Sequence, residues 1–92
     1  MTLGRLRKQI DRIDRQLLAL LNRRAHAALR VGRLKRKQNL PVFDGLREER
    51  MMRQLTCTNP GPLPPAATHR IFSQIVRESR KIQALAIKKR TR

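Results

Sequence analysis

Arg24 and Lys35 stand where a packed helix ordinarily carries leucine. Inward positions taken at alternating steps of three and four read Leu6, Ile10, Ile13, Leu17, Leu20, Arg24, Ala28, Val31 and Lys35. An unpaired buried charge is costly, so these cations either reach water or are met by an anion. A second apolar stripe, Phe72, Ile75, Val76, Ser79, Ile82, Gln83 and Ala86, is interrupted in the same way by Ser79 and Gln83. Asp44, Arg47 and Glu48 open a short segment between the two. One such residue alone is best explained by a long side chain snorkelling to water or by a satisfied backbone contact. Four on two stripes point instead to a lined pocket. Arg24 and Lys35 are eleven residues apart, about 16 Å along a helix axis, and each side chain reaches several ångströms toward the other, so a small carboxylate ligand is expected to fit between them.

Three helices are expected to position these groups. Residues 3–37 contain no proline and keep a helical apolar period. Gln38 to Phe43 breaks that period, with Pro41 forcing an extended residue before it. Asp44 suits a helix N-cap, and a short helix over 44–55 offers Leu46, Met51, Met52 and Leu55 to a core. Thr56 to Pro65, with Asn59-Pro60-Gly61-Pro62 and Pro64-Pro65, reads as a connection. A third helix follows over 66–87, and the basic residues 87–92 are expected to fray. The fold class is all-α, in one domain covering 1–92. Gly32, inside the first helix, is expected to permit close packing.

The first helix predicts more than its own packing. At roughly 50 Å it is longer than a globule of this chain length is wide, so much of its apolar face needs cover from a second chain. Arg7 lies about 25 Å from Arg24 on the same rod and cannot reach a ligand held there. If two first helices cross antiparallel near Leu17 and Leu18, the partner's Arg7 falls opposite the interval between Arg24 and Lys35. The bare face and the stranded arginine predict the same homodimer.

Composition limits the remaining choices. The net charge is +17 over 92 residues, which favours an anionic partner without choosing it. The charge belongs to the ends: residues 1–37 hold twelve Lys/Arg against two Asp, residues 65–92 eight against Glu78, and residues 38–64 are balanced. With two Phe and no Trp or Tyr, the core must be aliphatic. Cys57 is the only cysteine, which excludes an internal disulfide and fits a reducing, cytoplasmic setting. The charged stretch from Met1 to Gln9 is not a signal peptide, and no apolar run approaches a membrane span. His26 and His69 lack further ligands at metal-binding spacing, so no metal is expected.

The ordered strings Leu6-Arg7-Lys8-Gln9-Ile10-Asp11-Arg12-Ile13-Asp14, Leu20-Leu21-Asn22-Arg23-Arg24 and Val31-Gly32-Arg33-Leu34-Lys35 continue into Pro41-Val42-Phe43-Asp44 with Arg47-Glu48. They close with Arg70-Ile71-Phe72 and Glu78-Ser79…Gln83. In this order and spacing the chain resembles the all-α class of chorismate mutases over nearly its whole length. The resemblance implies an intertwined homodimer with two shared active sites and no cofactor. It implies that Arg24 and the partner's Arg7 hold carboxylates of chorismate, that Lys35 reaches a carboxylate and the ether oxygen, and that Arg47 and Ser79 lie near the ring carboxylate. Glu48 would accept from the ring hydroxyl, helped by the main chain at Asp44, and Gln83 would donate to the ether oxygen. Lys35 and Gln83 are then the expected catalytic residues of an intramolecular rearrangement to prephenate, which demands no nucleophile, metal or general base. Positioning and electrostatics suffice.

Three other readings compete with this one. An isochorismate-pyruvate lyase shares the family fold, but its loop between the first two helices departs from the pattern that Asp44, Arg47 and Glu48 keep here. A basic nucleic-acid-binding protein would use Arg12, Arg15, Arg23, Arg30, Arg33, Arg36, Arg77, Arg80 and the Lys88–Arg92 end, yet stacking aromatics and any binding motif are missing. A helical interaction module with a degenerate site does not account for a complete set of polar positions.

Overall fold

The computed structural model describes residues 1–88 and contains three helices: α1 over Leu3–Lys37, α2 over Gly45–Thr58 and α3 over Pro65–Lys88. Residues 89–92, most of the basic end expected to fray, lie outside the described residues, whereas Ile87 and Lys88 continue α3. α3 is the central element, packing against both α1 and α2. The molecule is long and flat, 55 × 28 × 15 Å.

Local chemistry sets the helix ends. Thr2 caps α1, its hydroxyl accepting from the Arg5 amide at 3.2 Å. The other end closes in a Schellman motif: the Leu40 amide donates to the Lys35 carbonyl at 2.7 Å and the Asn39 amide to the Arg36 carbonyl at 3.2 Å. Asn39 takes the left-handed conformation this requires, with φ of 56°, and Pro41 prevents resumption of the helix. Asp44 caps α2 as expected, its carboxylate accepting from the Arg47 amide at 3.2 Å.

Three sequence expectations need correction. α2 runs on to Thr58 instead of stopping at Leu55. The first residue that prevents continuation is Pro60, and the Thr56 and Thr58 hydroxyls donate back to the Met52 and Gln54 carbonyls within the helix. Leu46, expected in the core, is 69 % exposed; it falls in the first turn of α2, at the lip of an open cleft shared with His69 and Ser73 of α3. Met51, Met52 and Leu55 are half-buried. α3 begins one residue early, at Pro65, a position where the missing N–H costs nothing.

α3 covers only the C-terminal half of α1. Ala28 and Gly32 are buried there, with Val76, Ser79 and Ala86 facing them from α3. A Cβ on Gly32 would lie 2.9 Å from the Gln83 Cα and carbonyl oxygen and 3.1 Å from the Ala86 Cβ, so glycine sets how closely the helices approach. Arg36 secures the same contact by donating to the Ala86 carbonyl at 2.8 Å. Every residue from Met1 to Leu20 is exposed, including Leu6, Ile10, Ile13, Leu17, Leu18 and Leu20. This chain leaves that apolar row without cover from its own elements.

Candidate active site

A pocket of about 240 Å³ opens where α1, α2, α3 and the loop before α2 meet. Given the volume each water occupies in the liquid, it holds about eight waters, the scale of a small organic acid. Its apolar lining is Ala27, Ala28, Val31, Val42, Met51 and Val76, and its polar lining is Arg24, Lys35, Asp44, Arg47, Glu48, Ser79, Arg80 and Gln83.

Lys35 and Gln83 form one unit at its inner end. The Lys35 Nζ donates to the Val42 carbonyl at 2.8 Å and to the Gln83 Oε1 at 2.9 Å. Since the main chain of Lys35 also anchors the Schellman turn, its ammonium and the loop carbonyl it binds are fixed together. The side-chain oxygen of Gln83 is occupied, which leaves its amide N–H groups as donors. Lys35 keeps a third N–H beyond these two bonds.

Arg24 faces them from three turns earlier on α1. Its guanidinium donates through Nη1 to the Ser79 hydroxyl and lies 3.8 Å through Nη2 from the Met51 sulfur. Ser79 is 8 % exposed, so its bond to Arg24 answers the cost of a buried hydroxyl. Arg47 and Glu48 reach the pocket because the Asp44 cap starts α2 just before them.

The structure brings seven of the eight sequence-predicted residues to this pocket: Arg24, Lys35, Asp44, Arg47, Glu48, Ser79 and Gln83. Arg7 does not line it, standing on the exposed half of α1. Arg80 adds to the sequence reading, which names it only among the cations of a nucleic-acid-binding alternative. It lines the pocket and pairs with Glu48, its Nη2 donating to Oε1 at 3.1 Å and its Nε lying 3.1 Å from Oε2 without hydrogen-bond alignment. Its position is legible in retrospect, one helical turn after Val76 and one before Gln83 on the same face of α3. Arg36 is likewise half-buried and engaged with α3, not free.

Cations outnumber carboxylates in the lining by Arg24, Lys35, Arg47 and Arg80 against Asp44 and Glu48. The surplus matches a ligand with two negative charges. Among the described residues no group of three or more His, Cys, Asp or Glu is placed to hold a metal ion, and no helix is long and apolar enough to cross a membrane.

Comparison with known proteins gives this geometry a family. Residues 6–84 match the model of chorismate mutase type II. The fold is similar to that of a chorismate mutase from Thermus thermophilus, with a TM-score of 0.88 and 36 % identity over 89 % of this chain and 93 % of that one. It is similar also to a Helicobacter pylori chorismate mutase solved in complex with prephenate, with a TM-score of 0.86 and 29 % identity over 94 % of this chain and 93 % of that one. A bifunctional chorismate mutase/prephenate dehydratase from Aquifex aeolicus is 40 % identical over 78 residues, 80 % of this chain and 22 % of that protein. The chain thus spans about a fifth of the length of the curated relatives it matches. Three helices around a cation-rich pocket, with the family match running through every element that lines it, place this chain in the type II chorismate mutase family.

Proposed function

We propose that this chain catalyses the rearrangement of chorismate to prephenate, a step of aromatic amino-acid biosynthesis, in a reducing cytoplasmic setting. The observation that carries the proposal is the convergence of Arg24, Lys35, Arg47 and Gln83, from three helices, on one pocket with a two-charge surplus of cations. The prephenate complex of the H. pylori relative supports the choice of ligand.

In the reaction the ether C–O bond breaks while a C–C bond forms within one molecule. The barrier is lowered by holding the compact conformer and by stabilising negative charge on the departing ether oxygen. Arg24 and Arg47 clamp carboxylates. The free N–H of Lys35 and the amide of Gln83 donate to the ether oxygen, where preorganised donors contribute most in a site shielded from water. Glu48 accepts from the ring hydroxyl. Asp44 starts α2 so that its main chain adds to that contact, and Ser79 steadies Arg24.

The working unit is a homodimer in which the partner's Arg7 completes each pocket. Its support is the bare apolar row from Leu6 to Leu20, which is large for a chain in isolation, and the distance of Arg7 from its own pocket. Nucleic acid is not a partner in this reading.

A chorismate-disappearance assay with product identification tests the activity. Prephenate without pyruvate is expected. Pyruvate would identify the lyase reaction instead, and stable chorismate would remove both.

A further inference from the structure

Arg80 joins three elements at the pocket rim. It arises from α3, donates through Nη2 to the Oε1 of Glu48 on α2 with its Nε 3.1 Å from Oε2, and lies over the ring of Phe43 in the preceding loop, 5.3 Å from its centroid. The side chains of Arg80 and Glu48 are 40 % and 25 % exposed. The pair is therefore partly shielded, where geometry counts for more than at an open surface. The Nη2 hydrogen bond and the close Nε contact fall on different oxygens, so the planar guanidinium restricts the carboxylate's orientation more than the point charge of a lysine at the same place would.

We propose that Arg80 is a positioning residue for substrate capture. It orients the Glu48 carboxylate toward the pocket and cancels its charge beside an incoming dianion. Each Glu48 oxygen has more than one acceptor site, so binding Arg80 leaves capacity for a substrate hydroxyl. Without Arg80 the lining loses half its surplus of positive charge, and Glu48 becomes a free anion facing two carboxylates. The Phe43 contact extends the effect to the loop whose Val42 carbonyl holds Lys35. This inference rests on the chorismate reading given above.

The test is a double-mutant cycle on chorismate turnover with Arg80→Met, Glu48→Gln and the double variant, with Arg80→Lys as the conservative arm. Arg80→Met is expected to raise KM about tenfold while kcat changes less, the scale of one hydrogen bond to a charged group. Arg80→Lys should recover part of the loss, since it restores charge but not the planar guanidinium. In the Glu48→Gln background, Arg80→Met should change kcat/KM by less than about twofold, because a residue acting through Glu48 has nothing left to position. Equal losses in both backgrounds would overturn the proposal, as would an unchanged KM in a folded Arg80→Met variant. If Arg80→Met does not fold, Arg80→Lys in the two backgrounds gives the same cycle. Wild-type turnover without coupling rejects this inference alone, and absence of wild-type turnover rejects it together with the reading on which it rests.

Discussion

The Lys35 ammonium donates to the side-chain oxygen of Gln83 at 2.9 Å, joining the end of α1 to the last third of α3. That bond decides which way the Gln83 amide faces. With Oε1 held by Lys35, only the N–H groups remain for a ligand, so a neutral side chain serves as a donor that needs no proton from solution.

Gln83→Glu should convert this constant donor into a titrating one. A carboxylate at this position repels the developing charge on the ether oxygen, and only its protonated form donates. Lys35 beside it favours the ionised form and pulls its pKa below the ordinary glutamate range. Activity should therefore rise only as pH falls through and below the ordinary glutamate range and be weak at neutrality, while the wild type stays active around neutral pH. A pH–rate profile of kcat for the two proteins measures this. A flat profile for the variant removes Gln83 from the ether oxygen.

Lys35→Ala should cost turnover more than affinity. The substitution removes the free N–H and also releases Gln83 Oε1 and the Val42 carbonyl from their donor. By analogy with loss of an oxyanion donor, the fall in kcat is expected to reach about 3 kcal/mol or more. Steady-state kinetics with a matched thermal unfolding curve separates this from unfolding. Turnover near the wild-type value would exclude the role.

How far the site is legible in the sequence follows from periodicity. Arg24, Lys35, Ser79 and Gln83 stand out because each breaks an apolar stripe at helical spacing, and Asp44 because a cap precedes its helix. Arg80 does not stand out, because it lies at the edge of its stripe in a chain rich in exposed arginine; only the approach of α2 makes it part of the pocket. The end of α2 is hidden because a threonine-rich stretch before a proline has weak helical preference, which hydroxyl-to-carbonyl bonds within the helix accommodate. Leu46 misleads because apolar character alone does not tell a packed position of a short helix from one at the lip of an open cleft.

Gly32→Ala tests the packing that holds Gln83 in place. Alanine is the better helix former by about 1 kcal/mol, yet its Cβ would press to 2.9 Å on the backbone of Gln83. Backbone cannot turn aside as a flexible side chain can, so strain outweighs propensity. A net destabilisation of about 1–3 kcal/mol is expected, with kcat reduced as Gln83 shifts. Gly45→Ala is the control, since its Cβ would meet only the exposed ring of Phe43 at 3.1 Å. Thermal unfolding of both variants measures the contrast. Equal Tm values would count against the close approach at Gly32.

Complementation between two inactive variants tests the shared pocket. Arg7→Ala leaves Arg24 intact and Arg24→Ala leaves Arg7 intact, so each homodimer lacks one cation at both of its sites. In a mixed dimer, the pocket built on the Arg7→Ala chain has its own Arg24 together with the partner's Arg7, and is whole. The other pocket lacks both. With free exchange of equal amounts, half of the dimers are mixed and about a quarter of wild-type activity should return. Every residue from Met1 to Leu20 is exposed, which leaves the apolar row there open to the proposed pairing, and sedimentation of each variant checks that assembly itself survives the loss of either arginine. Activity of the mixture no greater than the sum of its parts, with dimers intact, would mean that Arg7 does not act across the interface.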